Sequence, residues 1–96
     1  MSREIASALM ADKLNELRKL SYGELAGLVG QTFGSCVTGP DGAEYQMETE
    51  AHWDNQKGDN IRVIVAVDGG GVSSFKPLLS SFIIAPDGSF VGEEES

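Results

Sequence analysis

The stretch Glu44–Trp53, EYQMETEAHW, alternates in side-chain character from its first residue to its last. One set of alternate positions is mostly apolar: Tyr45, Met47, Thr49, Ala51 and Trp53. The other set is polar and largely acidic: Glu44, Gln46, Glu48, Glu50 and His52. Successive side chains of a strand point to opposite sides of a sheet, so this alternation predicts a half-buried antiparallel strand.

We extend this strand to residues 43–53 and expect a partner strand at residues 32–38. The two are joined by Gly39-Pro40-Asp41-Gly42, in which proline suits the first corner of a turn and glycine the left-handed position. If Gly39 opposes Ala43, then Val37 meets Tyr45. This register puts apolar residues opposite each other and is therefore self-consistent.

A third strand is predicted at residues 61–68, after a polar loop at residues 54–60. Its inner positions are all β-branched: Ile61, Val63, Val65 and Val67. Pairing Trp53 with Ile61 continues the apolar face across the sheet and places His52 opposite Arg62 on the other face.

Two helices are expected before the strands. Residues 2–20 carry an apolar stripe at three- and four-residue steps, which is typical of a helix that packs on a core. Ser2 is a suitable N-cap for it. Ser21-Tyr22-Gly23-Glu24 has the spacing of a capping box, so a short second helix should begin there and end near Gly30.

The end of the chain is predicted to form a last hairpin. After three glycines at 69–71 we expect residues 72–79 to be irregular, because Pro77 cannot donate to a ladder. Strands at 80–85 and 89–91 would then pair across Pro86-Asp87-Gly88, with Ile84 opposite Phe90. Residues 93–96 form an acidic tail.

Together these elements predict one α+β domain over residues 1–92. The N-terminal helix, with the short second helix, packs on one face of a four- to five-stranded, mostly antiparallel sheet. This arrangement resembles the cystatin-like and NTF2-like architectures, in which a helix lies against a curved antiparallel sheet. The resemblance is one of layout over the whole chain, and it implies a fold but no activity.

The composition narrows the classes of partner. Fifteen acidic and seven basic side chains give a formal net charge of −8 in 96 residues. This charge disfavours nucleic acid and anionic membranes, both of which attract basic patches, and leaves a basic protein partner as an alternative. Neither a signal peptide nor a membrane span is expected, and a single cysteine fits a reducing compartment, so we expect a cytoplasmic protein.

Four polar residues form the candidate ligand site: Glu50, His52, Asp54 and Arg62. Alternate residues of a strand lie about 7 Å apart on one face, so a carboxylate–imidazole–carboxylate group could bind a metal or support acid–base chemistry. The alternative, which we favour, is a solvated acidic face. We therefore expect no metal site, cofactor or catalytic residue.

Two other motifs predict no functional site. The loop at residues 54–60 superficially resembles a calcium loop, but Gly58 has no side-chain oxygen at position five, Asp59 stands where the sixth position needs glycine, and Val65 stands where the twelfth needs glutamate. Cys36 and His52 fall about 20 Å apart along the predicted strands, which is too far for a thiolate–imidazole pair.

The outer face gathers the candidate interface: Ile64, Ala66, Ile83 and Val91. A contiguous apolar patch rimmed by charge often marks a contact surface. We therefore expect a small, non-catalytic binding or assembly module that forms a homodimer through this face. The alternative is an NTF2-like pocket enzyme or small-ligand binder that uses His52, Glu50, Asp54 and Arg62.

Overall fold

The structure, a computed structural model, describes residues 3–68 and 78–92. It confirms the α+β layout, with two helices that precede a four-stranded antiparallel sheet. The elements are α1 (Arg3–Arg18), α2 (Tyr22–Ala26), β1 (Thr32–Thr38), β2 (Glu44–Trp53), β3 (Ile61–Asp68) and β4 (Leu78–Ile84). The strands follow one another in the order β1-β2-β3-β4, so each pairs with its neighbours in sequence.

The predicted strand registers are confirmed residue by residue. Val37 lies opposite Tyr45 in the β1–β2 pair. In the β2–β3 pair, Trp53 lies opposite Ile61 and His52 lies opposite Arg62. A slip of one residue would turn every apolar side chain of β2 to the wrong face, so the alternation of the sequence specifies the pairing strongly.

The core lies between the helices and one face of the sheet, here called the helix face. Helix α1 packs against β3 and β4, and α2 against β3. Among the described residues, five of the six elements contribute buried side chains to this core, and none comes from β1. These side chains are Ala6, Met10, Leu17, Leu25, Tyr45, Met47, Ala51, Ile61, Val63, Val65, Val67, Phe82 and Ile84. Removal of this apolar surface from water is the main stabilising term. The opposite side of the sheet is called the outer face.

The capping box of the second helix is present as predicted. The backbone N–H of Glu24 donates to Ser21 Oγ at 3.1 Å, and the backbone N–H of Ser21 donates to Glu24 Oε1 at 3.0 Å. The helix is shorter than expected, however, because it ends at Ala26 with Gly27 as its C-cap. Residues 27–30 form turns, and the last of them, Gly30, has a φ of 86°, which suits glycine. The predicted N-cap of α1, Ser2, lies outside the described residues.

The last strand begins earlier than predicted. Leu78 and Leu79 belong to β4 and pair with Val67 and Ala66, so the irregular segment does not extend to residue 79. Pro77 excludes a ladder hydrogen bond only at its own position, and strands commonly start next to a proline. Predictions for residues 69–77 and 93–96 fall outside the described residues.

The predicted final hairpin is only partly formed. Ile84 and Phe90 make an isolated bridge, as the register required, and the N–H of Val91 donates to the carbonyl of Ile83 at 2.8 Å. A regular strand at residues 89–91 is not present. Because Val91 lies beside Ile83, its side chain belongs to the outer face by alternation.

The first turn contains a charge-assisted hydrogen bond that links stability to pH. The Asp41 carboxylate accepts from Tyr45 Oη at 2.9 Å and from the N–H of Ala43 at 3.1 Å. Desolvation raises the pKa of Asp41, but the hydrogen bonds from Tyr45 and Ala43 outweigh it and hold the pKa below its usual value. The hydroxyl and the N–H of Ser89 lower the pKa of Asp87 in the same way in the second turn.

We expect Tyr45→Phe to reduce stability at neutral pH and to lose most of that effect in acid. A depressed pKa contributes stability above the unfolded value of about 3.9, and the contribution disappears as the pH falls through the folded pKa. The difference in unfolding free energy between wild type and Tyr45→Phe should therefore shrink between pH 5 and pH 2, measured by urea denaturation. A pH-independent difference would show that the hydroxyl does not stabilise the fold through the charge of Asp41.

Candidate functional site

The outer face has a gradient of polarity across its strands. The outward side chains of β2 form an acidic row, Glu44, Gln46, Glu48, Glu50 and His52. On the same face, Glu48 of β2 lies opposite Ala66 of β3, and Ala66 lies opposite Leu79 of β4. The neighbouring rungs join Glu50 to Ile64 and His52 to Arg62. Acidic side chains therefore predominate on β2, and apolar ones occupy the middle of β3 and most of β4, while Arg62 and Asp68 place a charge at each end of β3.

The structure brings together the four predicted ligand residues, at the end of β2 nearest the 54–60 loop. Arg62 donates to Asp54 Oδ1 from Nη2 at 3.0 Å and from Nε at 3.2 Å. His52 Nε2 lies 4.0 Å from Glu50 Oε2. Thr32 Oγ1 donates to the other oxygen of Glu50 at 3.4 Å. The four residues thus form two separate pairs.

These pairs are exposed to water rather than enclosed. Between 27% and 52% of each of the four side chains is accessible to solvent. Exposed ion pairs contribute little free energy, because water already stabilises each charge. The four side chains also lie on the face opposite the helices, so a pocket between helix and sheet would have to use other groups. On the helix face, Tyr45 is completely buried.

A metal site is not formed by the described residues. Among residues 3–68 and 78–92, no group of three or more His, Cys, Asp or Glu side chains could hold a metal ion. Cys36 is exposed and lies opposite Gln46, six residues from His52 along β2. Cys36 and His52 therefore do not form a thiolate–imidazole pair.

The apolar half of the outer face is more prominent than the sequence indicated. We call it the outer strip and define it by Ile64, Ala66, Leu79, Ile83 and Val91. Leu79 is 69% exposed and Val91 is 40% exposed, while Ile64, Ala66 and Ile83 are half-buried. A shallow groove of about 290 Å³ separates Leu79 from Glu48 of the acidic row.

Leu79 is the functional candidate that sequence reasoning missed. The signal was available, since Leu79, Ser81 and Ile83 share one face of β4 by simple alternation. Because Pro77 predicted an irregular segment up to residue 79, Leu79 was not assigned to a strand. Of the other predicted members, Ala66 lies opposite Leu79, whereas Ile64 lies opposite Ser81 and Ile83 lies opposite Arg62, so polar side chains interrupt the strip.

Comparison with known proteins adds no relative to this description. Neither a protein-family model, nor a curated protein, nor a solved structure matches the chain. In the part of the chain that the structure describes, both helices are too short or too polar to cross a membrane.

Proposed function

We propose that this protein is a small, non-catalytic assembly module that associates with a second copy of itself through the outer strip. The observation that carries the proposal is the exposure of Leu79, which places 69% of a large apolar side chain in water directly opposite Ala66, on the face that also carries Ile64 and Ile83. Burial of such surface is worth about 25 cal/mol per Å², and contiguous apolar patches of this kind commonly mark contact surfaces.

The charge gradient favours one orientation of the two copies. Sheets that pack face to face lie about 10 Å apart. A two-fold axis that runs along β3 and β4 joins the two outer strips and sends the acidic rows to opposite flanks. An axis perpendicular to the strands would instead stack one acidic row on the other, which like-charge repulsion disfavours. In the favoured arrangement both acidic rows stay accessible for binding to a basic protein partner.

Substitution of Leu79 by glutamate tests the proposal. We expect Leu79→Glu to weaken this contact by at least tenfold and to halve the mass measured by size-exclusion chromatography with light scattering. A charge buried at a dimer interface without a partner is strongly unfavourable. Folding should be little affected, because Leu79 is already mostly exposed in the single chain.

Gln46→Glu is the matched control. It adds the same charge to the same face, but on the acidic row rather than on the outer strip, so the measured mass should not change. Ile83→Glu should reproduce the effect of Leu79→Glu. The proposal is wrong if the mass of Leu79→Glu equals that of wild type at every concentration.

A further inference from the structure

Strand β1 forms an edge of the sheet that has none of the usual protection. In the described part of the chain it pairs only with β2. Natural edge strands are commonly blocked by lysine, proline or a bulge, since an open edge pairs readily with another strand. The strand Thr32–Thr38, TFGSCVT, contains neither a charge nor a proline, and its pairing with β2 runs one to one without a bulge. The whole segment from residue 25 to residue 40 lacks a charged side chain.

The direction of the free backbone groups follows from the turn. The N–H of Gly39 donates to the carbonyl of Ala43 at 2.8 Å, so these two residues form a hydrogen-bonded pair. Hydrogen-bonded and non-hydrogen-bonded pairs alternate along an antiparallel ladder. Val37, Ser35 and Phe33 therefore bond to β2. The backbone groups of the alternate residues point to the free edge: Thr32, Gly34, Cys36 and Thr38.

The sequence of β1 is self-complementary about its central residue. Antiparallel pairing of two β1 strands around a two-fold axis at Ser35 places Thr32 opposite Thr38 and Gly34 opposite Cys36. These are the residues whose backbone groups point outward, so each rung exchanges both of its hydrogen bonds. Phe33 then lies opposite Val37 on the helix face, in the closer, non-hydrogen-bonded type of pair.

Other registers are less favourable. A shift that centres the axis on Gly34 also aligns outward backbone groups, but it places Phe33 opposite Ser35 and Val37 opposite Gln31. The Ser35-centred register keeps all of Thr32–Thr38 paired and places the exposed ring of Phe33, 43% accessible in the single chain, opposite the apolar Val37.

The charge distribution is compatible with a second copy as the occupant of this edge, and the self-complementary register is what favours it. Each chain carries a formal charge of −8, so self-association must keep acidic groups apart. Two uncharged β1 strands between the two copies of β2 hold the acidic rows three strand spacings apart, about 14 Å. This exceeds the Debye length of about 10 Å at 0.1 M salt, so the repulsion is largely screened.

We propose that the β1 edges of two copies pair antiparallel about Ser35 and join the two sheets into one. This edge contact uses a surface separate from the outer strip and does not depend on it. If both contacts form, each copy uses its edge on one flank and its outer strip on the other, so the two axes do not meet and the assembly extends as an open chain instead of closing.

The single cysteine provides a measurement specific to the edge contact. In the Ser35-centred register, Cys36 lies diagonal to Cys36 of the second copy, with Cα atoms about 7 to 8 Å apart. A short bismaleimide should therefore link wild-type chains in high yield. Pairing through the outer strip alone leaves the two β1 strands on opposite flanks, more than about 20 Å apart, so that contact gives no such product.

Two double variants, one with like charges and one with opposite charges at positions 32 and 38, test the register. We expect Thr32→Lys combined with Thr38→Lys to reduce cross-linking at least tenfold, because the introduced ammonium groups face one another across the two-fold axis. Within each chain these positions lie opposite Glu50 and Glu44, so each introduced lysine gains an attractive cross-strand pair. The two lysines also lower the negative charge of each chain, so the overall repulsion between chains falls. Thr32→Lys combined with Thr38→Glu places opposite charges across the axis and should restore cross-linking.

Light scattering on these variants separates the two proposals. Loss of mass in the double-lysine variant but not in Leu79→Glu supports the edge contact and refutes the outer strip. Loss in Leu79→Glu alone, with no cross-link in wild type, overturns the edge contact. A wild-type monomer at every concentration refutes both. Cross-linking that is equal in the double-lysine and charge-complementary variants overturns the Ser35-centred register.

Discussion

Gly39→Ala is expected to destabilise the fold by about 2 to 3 kcal/mol, the upper part of the range for overpacking a core. Gly39 is buried where the first turn meets α1. A Cβ atom there would lie 2.7 Å from Cε1 of Tyr45, 2.8 Å from Oδ1 of Asp41 and 3.1 Å from Cγ2 of Ile5. Tyr45 cannot move aside easily, because its ring is fully buried and its hydroxyl is bonded to Asp41.

Backbone conformation is not the reason for this expectation. Gly39 is not among the described glycines with positive φ, so alanine is compatible with the chain path. Without the close contacts, the substitution would be neutral or slightly stabilising through the unfolded state. The predicted loss therefore measures the packing of the turn against Ile5 and Tyr45.

Gly23→Ala is the control for this experiment. Gly23 is exposed inside α2, and an added Cβ would meet only Ser21 Oγ at 3.9 Å. Alanine is favoured over glycine in a helix by about 0.5 to 1 kcal/mol, so this variant should be more stable than wild type. Both values come from urea denaturation. Equal stability of Gly39→Ala and wild type would mean that the turn is not packed against α1 as described.

The sheet could be predicted from the sequence because its information is local. Alternation in β2 assigns each residue to a face, and the turn that contains Pro40 fixes its register with β1. The same alternation placed His52 opposite Arg62 and brought the four polar candidates to one end of the outer face. Their division into the pairs His52–Glu50 and Arg62–Asp54 follows from rotamers, which the pattern does not encode.

Features that depend on three-dimensional packing could not be predicted in this way. The buried environment of Gly39 arises because α1 brings Ile5 against the turn, a contact between residues distant in sequence. The open edge of β1 depends on strand order, since a strand with the same residues at the centre of the sheet would have no free backbone groups. The exposure of Leu79 likewise depends on which face the helices cover.

Phe82→Ala is expected to cost about 4 kcal/mol, within the range for deleting a buried aromatic ring. Phe82 is 3% exposed on the helix face of β4. Its ring meets that of Phe90 edge to face, with centroids 5.6 Å apart and planes at 86°. The guanidinium carbon of Arg18 lies 5.2 Å from the centroid of Phe82 and 5.4 Å from that of Phe90. This cluster joins the end of α1, strand β4 and the C-terminal bridge.

A double-mutant cycle separates the cation–π contact from the loss of apolar volume. Phe82→Leu keeps an apolar side chain, and Arg18→Met keeps an extended stem while it removes the charge. Arg18 also sits favourably at the negative end of α1, but that contribution is lost equally in both backgrounds and cancels in the cycle. We expect a coupling free energy of about 1 kcal/mol, because Arg18 is half-buried with its Nε atom buried, and its guanidinium lies over two rings. Additivity within about 0.3 kcal/mol would mean that Phe82 stabilises this end of the molecule by burial alone, and that the charge of Arg18 acts through other partners.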